Sequence, residues 1–270
     1  MPELPEVETI VRGLRTRLPH RKVLRTHLRH RSLYRRGSLT LRWLVDRTVG
    51  AVDRVGKNAV IRFDPAGLMV VNLGMTGRLV ASASTRKPAG NDAKHLHARM
   101  LLEGGLELRY YDARRFGRFY VAEKCDFARD LNIGPDPFLA KPQYLTNVLL
   151  ARKAPIKALL LDQRIISGIG NIYADETLFY AGVDPSTPGR VAGTQARAIL
   201  SNARSVLRRA IKHGGSTLRD YRRHDGSRGG FQRFHAVYGR EGQPCFRCGA
   251  IVEKLFIAGR GTHFCRVCQR

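Results

Sequence analysis

The chain has 270 residues, which is enough for two domains with separate hydrophobic cores. Its 48 lysine and arginine residues exceed its 22 aspartate and glutamate residues, and the formal net charge at pH 7 is +26. This excess of positive charge favours a polyanionic partner such as nucleic acid. The alternative explanation is a GC-rich genome, which raises the arginine content of all its proteins. The amino-terminal sequence lacks the apolar core of a secretory signal, and no apolar run reaches the length of a membrane span. We therefore expect no membrane partner. Four of the five cysteines lie in the last 26 residues, a distribution that indicates a metal site in a reducing cytoplasm.

Hydrophobic patterns predict an amino-terminal helix, then strands, then further helices. Val7, Ile10, Val11, Leu14 and Leu18 have helical spacing, and a proline with acidic neighbours precedes them in a typical first turn. Short β-branched and aromatic segments then predict eight antiparallel strands, at residues 23–28, 48–53, 59–63, 68–73, 78–83, 97–102, 106–111 and 117–122. Apolar periodicity later in the chain predicts helices at residues 142–150, 155–161, 172–181 and 194–213.

These changes of pattern predict an α+β protein in three parts. Residues 1–132 are expected to form a helix plus an antiparallel β-sandwich, and residues 140–232 are expected to form a helical domain. Residues 236–270 are expected to form a cysteine-bearing hairpin that packs with the helical domain. The polar residues 82–94 and the residues 214–230, rich in glycine and arginine, are predicted to be loops.

Four of the five cysteines form two C-x-x-C pairs, and this arrangement predicts one structural zinc ion. Two such pairs can place four thiolates around a single tetrahedral ion. A redox-active dithiol is the alternative, but two pairs separated by residues 249–264 are more typical of zinc. Segments 251–257 and 262–264 are predicted to flank a turn at 258–261 that carries Arg260 at its tip. The predicted ligands are Cys245, Cys248, Cys265 and Cys268.

Pro2 and Glu3 form a candidate nucleophile and proton carrier near the chain terminus. Removal of Met1 would leave the secondary amine of Pro2 as an α-amino group, and such groups have a pKa of about 8. A neutral amine can attack an electrophilic sugar carbon to form an iminium intermediate, and a neighbouring carboxyl group can transfer protons. Taken alone, the two residues fit an ordinary helix start better than a catalytic site.

The opening sequence MPELPEVETIVRGL resembles that of bacterial formamidopyrimidine-DNA glycosylases. Further blocks of this family occur in the family order and, with the cysteine hairpin, span essentially the whole chain: GK (56–57), LGMTG (73–77), DARRFG (112–117), GIGNIYADE (168–176) and YGR (238–240). The resemblance implies a monomeric base-excision-repair enzyme that removes 8-oxoguanine and formamidopyrimidines from double-stranded DNA. It also implies that the enzyme then acts as an abasic-site lyase by β,δ-elimination.

The resemblance also implies roles for four catalytic residues. Pro2 is expected to attack the sugar and form a Schiff base, with Glu3 as proton donor and acceptor. Lys57 matches the family lysine assigned to proton donation in β-elimination, and neighbouring residues 54–63 place it at the entry to a strand. Arg260 matches the hairpin arginine that contacts the phosphate beside the lesion and takes part in δ-elimination, a task suited to a guanidinium fork.

Other positions match family residues that contact DNA. Met75, Arg114 and Phe116 are similar to the residues that enter the duplex when the damaged nucleotide is flipped out. The sequence at 168–171, before a helix, resembles the phosphate site of the family's helix–two-turn–helix motif. Residues 214–230 match the loop over the extruded base, with Ser216, Thr217 and the backbone of residues 219–223 as candidate base contacts. The remaining predicted DNA contacts are Asn72, His95, Arg115, Arg152, Lys157 and Asn171.

Two positions depart from the family pattern, and two alternative functions stay open. Asn72 stands where the family commonly has histidine, and Gly230 stands where tyrosine is common. One alternative is an endonuclease VIII-like glycosylase for oxidised pyrimidines, but Met75 and Phe116 follow the purine-specific pattern. The other is a catalytically silent protein that binds damaged DNA. The joint presence of Pro2, Glu3 and Lys57 argues against it.

Overall fold

The structure is a computed structural model that describes residues 2–88, 90–217, 221 and 227–270. Packing divides the chain into two compact units. Unit 1 contains residues 1–126 and 214–230, and unit 2 contains residues 127–213 and 231–270. The predicted α+β class is confirmed, with a helix and β-sandwich in unit 1 and a helical bundle with a cysteine hairpin in unit 2. Within the described ranges, no helix has both the length and the hydrophobicity needed to cross a membrane.

Unit 1 begins with α1 (Leu4–Arg15), a helix whose apolar face is buried in the core of the unit. Pro5 lies in the first turn, where a missing N–H leaves no helical hydrogen bond unmade. Val7, Ile10 and Leu14 recur on one face and are at most 1 % exposed. Their burial attaches the amino-terminal end of the chain to the sandwich.

Two four-stranded antiparallel sheets form the sandwich of unit 1. In spatial order, the first sheet contains β2 (Thr48–Val55), β3 (Asn58–Asp64), β4 (Leu68–Asn72) and β8 (Arg118–Ala122). The second sheet contains β1 (Val23–Leu28), β6 (Leu96–Leu102), β7 (Leu106–Tyr111) and β5 (Arg78–Ala83). All eight predicted strands are present, with small shifts at their ends. β-branched and aromatic residues from both sheets, including Ile61, Val71 and Phe119, fill the core between them.

Two loops pass from one sheet to the other at a single end of the sandwich. Residues 73–77 connect β4 to β5, and residues 112–117 connect β7 back to β8. Because β4 pairs with β8 and β5 pairs with β7, both loops begin and end at adjacent strand ends. The terminal pairs there are Asn72 with Arg118, and Arg78 with Tyr111.

The predicted loop at residues 82–94 contains regular structure at its two ends. Strand β5 continues to Ala83, and a short helix, α2 (Asn91–His95), directly precedes β6. The carboxylate of Asp92 forms an ion pair with Arg78 of β5, and this contact links the helix to the sheet. The strand prediction for residues 78–83 is therefore confirmed, and the prediction of a loop through residue 94 was wrong at its carboxyl-terminal end.

Unit 2 contains six helices in its described residues: α3 (Phe127–Leu131), α4 (Pro142–Leu150), α5 (Ile156–Leu161), α6 (Asn171–Ala181), α7 (Gly189–Ala192) and α8 (Ala196–Lys212). Helix α8 is amphipathic, and Ile199, Ala203 and Val206 lie on its buried face. It begins later than predicted because residues 193–195 form a 3₁₀ turn. Helix α6 ends at Gly182, whose left-handed φ of 73° favours glycine.

The segment 214–230 packs in unit 1, although we predicted it within the helical domain of residues 140–232. The backbone N–H of Ser216 donates to Glu6 Oε1 at 2.7 Å, and the Tyr221 hydroxyl donates to the Glu6 carbonyl at 3.3 Å. Gly215 has a φ of 78°, and a Cβ there would lie 2.6 Å from Glu6 Oε1. These contacts with α1 explain why the segment belongs to unit 1.

The cysteine hairpin consists of β9 (Glu253–Ile257) and β10 (Arg260–Phe264). Its turn contains two residues, Ala258 and Gly259, with φ values of 48° and 70°. We predicted a four-residue turn with Arg260 at its tip. Arg260 is instead the first residue of β10, where it pairs with Ile257 and is exposed. The two-residue turn is shorter because both of its residues adopt left-handed conformations.

Glu176 of α6 attaches the segment that leads into this hairpin. Its buried carboxylate accepts backbone N–H groups from Ala236 at 2.8 Å, Val237 at 3.0 Å and Tyr238 at 2.9 Å. A carboxylate with three backbone donors replaces the hydrogen bonds that those N–H groups would make to water. Helix α6 therefore determines where residues 236–238 lie.

We predict that Glu176→Gln lowers the free energy of unfolding by about 3 kcal/mol, because the new NH₂ group faces a backbone N–H. Urea denaturation followed by circular dichroism measures this change. Glu253→Gln is the matched control, since Glu253 forms a partly exposed pair with Arg266 that should contribute about 1 kcal/mol or less. Equal stability of the two variants would contradict this role of Glu176.

Candidate functional site

In unit 1, Pro2 and Glu3 lie at the start of α1, and both are buried. Glu3 is the N-cap residue of the helix, and its backbone N–H donates to Glu6 Oε2 at 2.8 Å. The carbonyl of Glu3 accepts the N–H of Val7 at 3.1 Å. Pro2 is therefore joined directly to a capped helix end that is itself anchored in the core.

Lys57 lies in the tight turn between β2 and β3 and is 9 % exposed. The Arg54 guanidinium donates to the carbonyl of Gly56 at 3.1 Å and to Glu8 Oε2 of α1 at 3.1 Å. Arg54 therefore connects the turn that carries Lys57 with the helix that follows Pro2. Sequence reasoning missed Arg54 and Glu8, because no local pattern relates residues so far apart in the chain.

Met75, Arg114 and Phe116 lie together on the two loops that cross between the sheets. The guanidinium of Arg114 lies 3.4 Å from Met75 Sδ and 4.4 Å from the ring centroid of Phe116. Met75 is 38 % exposed and Phe116 is 49 % exposed. The structure thus brings these three predicted residues into one exposed, partly apolar group, and an exposed apolar group of this kind is typical of a binding surface.

Asp112 is fully buried beneath this group, and sequence reasoning noted it only as part of a motif. Burial raises the pKa of its carboxyl group. Hydrogen bonds from Thr76, Gly117 and Tyr110 outweigh that effect and hold the pKa below its usual value. Its contribution to stability is therefore present at neutral pH and is lost only as the pH falls through this lowered value.

Three other predicted DNA contacts of unit 1 lie near the same loops. Asn72 donates from Nδ2 to Asn58 Oδ1 at 3.0 Å and accepts the N–H of Gly74 at 3.0 Å, so its amide supports the start of the 73–77 loop. The carbonyl of His95 accepts the N–H of Asp112 at 2.9 Å, and Arg115 is exposed with a φ of 55°. Contact of these residues with DNA stays a prediction.

The described part of the predicted base-contact segment makes hydrogen bonds within unit 1. Ser216 and Thr217 are buried. The Thr217 hydroxyl accepts the N–H of Gly229 at 2.8 Å and donates to the carbonyl of Tyr221 at 3.2 Å. Apart from Tyr221, the candidate base contacts at residues 219–223 lie outside the described residues.

In unit 2, the predicted DNA contact Lys157 has its ammonium group buried among protein partners. It is 0 % exposed, and its ammonium lies 2.6 Å from Asp175 Oδ1. The same ammonium donates to Thr262 Oγ1 at 2.7 Å and to the carbonyl of Gly261 at 3.0 Å. A buried carboxylate and the hairpin backbone bind this lysine, so Lys157 supports the strand that carries Arg260. Its contact with DNA stays a prediction.

The remaining predicted DNA contacts of unit 2 occupy different positions. Asn171 is the first residue of α6, and its side-chain amide donates to the carbonyl of Gly261 at 2.9 Å. It therefore contacts the residue next to Arg260. Arg152 is exposed just beyond α4, where its guanidinium donates to the carbonyl of Val148 at 2.7 Å.

Four cysteines of unit 2 converge on a single point, as zinc requires. Their Sγ atoms all lie within 4.8 Å of one another. The Cys245–Cys268 separation is 3.9 Å and the Cys248–Cys265 separation is 3.5 Å. Sulfur atoms on one tetrahedral zinc ion are about 3.8 Å apart, whereas a disulfide bond is about 2.05 Å long. The geometry fits one zinc ion held by four thiolates.

We predict that Cys248→Ser removes the zinc ion and unfolds the hairpin, because so small a hairpin has little core of its own. Metal content measured by mass spectrometry, together with proteolysis of the hairpin, would test this. Cys125→Ser is the matched control, since Cys125 lies outside the four-cysteine cluster and should leave the metal content unchanged. A full complement of zinc in the Cys248 variant would contradict the assignment.

Comparison with protein families gives matches to three models that together span most of the chain. The formamidopyrimidine-DNA glycosylase N-terminal domain matches residues 1–119, and the formamidopyrimidine-DNA glycosylase H2TH domain matches residues 133–222. A zinc finger found in FPG and IleRS matches residues 242–270. The third match agrees with the four-cysteine geometry, and the chain therefore carries a zinc finger.

Whole-chain comparisons agree with these matches. The chain is 42 % identical to the formamidopyrimidine-DNA glycosylase of Thermus thermophilus, over 100 % of this chain and 98 % of that protein. The crystal structure of the Thermus thermophilus MutM (Fpg) protein matches with a TM-score of 0.86 and 40 % identity, over 99 % of this chain and 98 % of that one. A complex of Lactococcus lactis Fpg with DNA containing an abasic site matches with a TM-score of 0.88 and 30 % identity, over 99 % of each chain. The chain belongs to the formamidopyrimidine-DNA glycosylase family.

Proposed function

We propose that this chain is a bifunctional DNA glycosylase and abasic-site lyase that removes oxidised purines from double-stranded DNA. The observation that carries the proposal is the placement of Pro2 and Glu3 at the capped, buried start of α1 in a chain of this family. Structures of relatives include a MutM complex with DNA containing carbocyclic 8-oxo-G and a Lactococcus lactis Fpg mutant with DNA containing Fapy-dG. These two complexes support oxidised purines as the substrate class.

In the proposed reaction, removal of Met1 exposes the Pro2 amine, which attacks the anomeric carbon of the damaged nucleotide. The bond from that carbon to the base breaks, and the base leaves with a proton. Opening of the sugar ring then gives the iminium (Schiff base), with Glu3 carrying protons to and from the sugar oxygen. A pKa of about 8 for an α-amino group leaves part of the amine neutral at physiological pH.

Strand cleavage follows from the same intermediate. Lys57 is proposed as the proton donor in β-elimination, because the turn that carries it is linked through Arg54 and Glu8 to α1. Arg260 is proposed to contact the phosphate beside the lesion and to assist δ-elimination. Its backbone is supported by contacts of Lys157 and Asn171 with Gly261. A guanidinium fork matches the geometry of phosphate oxygens.

The zinc ion has a structural task in this proposal, because four cysteine ligands leave no open coordination position for a substrate. Cys245, Cys248, Cys265 and Cys268 would hold the ion and thereby fix the fold of the hairpin that carries Arg260. We further propose that the protein acts as a monomer in the cytoplasm, where it associates with chromosomal DNA. The net charge of +26 supports a DNA partner.

We predict that borohydride traps a covalent complex between this chain and a duplex with 8-oxoguanine opposite cytosine, and that Pro2→Gly abolishes or sharply reduces the complex. Reduction converts the iminium to a stable amine, so gel electrophoresis detects the linked product. Pro142→Gly is the matched control, because Pro142 lies in the first turn of α4 and its nitrogen is within the chain. If a chain with a confirmed Pro2 terminus gives no complex, the proposal fails, and the endonuclease VIII-like alternative for oxidised pyrimidines gains support first, followed by the silent DNA-binding alternative.

We also predict that DNA affinity falls steeply with salt and that Arg152→Ala reduces the slope of log K against log salt by about 0.9, the loss of one phosphate contact. Fluorescence anisotropy at several salt concentrations measures the slope. Arg129→Ala is the control, since Arg129 is also exposed but pairs with Asp130. An unchanged slope in the Arg152 variant would remove this residue from the proposed DNA contacts.

A further inference from the structure

The two loops that carry Met75, Arg114 and Phe116 meet at one buried carboxylate. Asp112 begins the 112–117 loop and is 0 % exposed. Its Oδ1 accepts the Thr76 hydroxyl of the other loop and the backbone N–H of Arg114, the latter at 3.2 Å. A single side chain therefore holds residues from both loops at the base of the exposed group.

The second oxygen of Asp112 is equally occupied. Its Oδ2 accepts the Tyr110 hydroxyl at 2.9 Å and the backbone N–H of Gly117 at 2.9 Å. The Thr76 hydroxyl also accepts the N–H of Arg114 at 3.2 Å, so the donors of the cluster are themselves connected. Four donors on two oxygens give a fully satisfied carboxylate, which stabilises this site only while it is ionised.

The two loops also pack directly against each other through their backbones at two glycines. A Cβ on Gly74 would lie 2.7 Å from the backbone nitrogen of Gly117. A Cβ on Gly117 would lie 1.7 Å from the Tyr110 hydroxyl oxygen. Glycine at these two positions lets one loop lie directly on the other, above the Tyr110–Asp112 pair.

We propose that Asp112 is a positioning residue that makes the two loops act as one rigid wedge. Met75, Arg114 and Phe116 then enter the base stack together when the damaged nucleotide leaves it. This inference rests on the proposed function, because it assigns the residue that prepares those three side chains for duplex DNA. A rigid group loses less conformational entropy on insertion than three independently moving side chains.

The donor pattern specifies a carboxylate and excludes the isosteric amide. The N–H groups of Arg114 and Gly117 are backbone donors that cannot reverse direction, and each faces a different oxygen of Asp112. In either orientation, the NH₂ group of an asparagine would face one of these donors. Asp112→Asn therefore loses hydrogen bonds and sets donor against donor, although its volume is unchanged.

The test compares two reactions of the same variants. The first is single-turnover excision of 8-oxoguanine opposite cytosine from a duplex, which requires the base stack to open. The second is borohydride trapping on a single-stranded oligonucleotide with one abasic site, which has no partner strand to open. Asp112→Asn is expected to slow excision by about 10-fold to 100-fold and to leave trapping close to that of the unmodified chain.

Two further variants complete the design. Asp53→Asn is the matched control, because Asp53 is a half-exposed partner of Arg62 outside these loops, and it should leave both reactions unchanged. Tyr110→Phe keeps the ring and removes one donor from Asp112. Tyr110→Phe should also slow excision, but by a smaller factor. It serves as the test variant if Asp112→Asn does not fold.

The possible outcomes distinguish a failure of the proposed role of Asp112 from a failure of the proposed glycosylase and lyase function. Unmodified chain that is inactive in both reactions would contradict the proposed function and, with it, the wedge. Active unmodified chain together with unchanged duplex excision in Asp112→Asn and Tyr110→Phe would overturn the role of Asp112 alone. An equal loss of excision and trapping in the folded variants would also overturn it, because a general structural defect acts on both reactions.

Discussion

The apolar face of α1 is buried in the core of unit 1, and the other features of that unit's site depend on this burial. Val7, Ile10 and Leu14 each contribute about 1.5–3 kcal/mol when they leave water, which is enough to hold the helix in one position. Glu3 caps the helix beside Pro2. Two further glutamates then extend from the fixed helix to other parts of the site, so one buried surface determines several polar contacts.

The two glutamates connect α1 to segments that are distant in sequence. Glu6 accepts the N–H of Ser216 and so holds the segment 214–217 in unit 1. Glu8 pairs with Arg54, a residue whose side chain is 9 % exposed and which also binds the turn at Lys57. Ion pairs with little solvent exposure resist screening by salt better than surface pairs do. The position of the candidate nucleophile and the position of Lys57 are therefore coupled through one helix.

In unit 2, a buried ion pair between Lys157 and Asp175 binds the hairpin that carries Arg260. Lys157 and Asp175 are both 0 % exposed, and together they bind the backbone of the hairpin at Gly261 and His263. Removing two charges from water is costly, and only close pairing with further hydrogen bonds offsets the cost. We interpret this pair as the means by which α5 and α6 set the orientation of β10, with the cysteine cluster fixing the far end of the hairpin.

The sequence by itself determined the eight strands, the five longer helices, the zinc ligands and the family, but it did not predict the short helices α2, α3 and α7. Strands and helices follow from local hydrophobic period, and zinc ligands follow from the short spacing within each C-x-x-C pair, so both are visible in one stretch of chain. The residues of the candidate nucleophile and wedge were identified by motifs for the same reason. Asp112 stood within one of those motifs, but nothing in the motif revealed its four donors.

Only the tertiary structure decided which polar groups are exposed and which are buried. The sequence indicates only that Lys157 supplies positive charge for DNA, whereas the structure shows that its ammonium group contacts Asp175, Gly261 and Thr262. Segment 214–230 reads as part of the helical domain, yet Glu6 binds it in unit 1. Burial and pairing depend on contacts between residues far apart in the chain. Local patterns carry no information about such contacts, because the same lysine or glycine-rich segment is compatible with an exposed and with a buried position. Its partners elsewhere in the chain decide between the two.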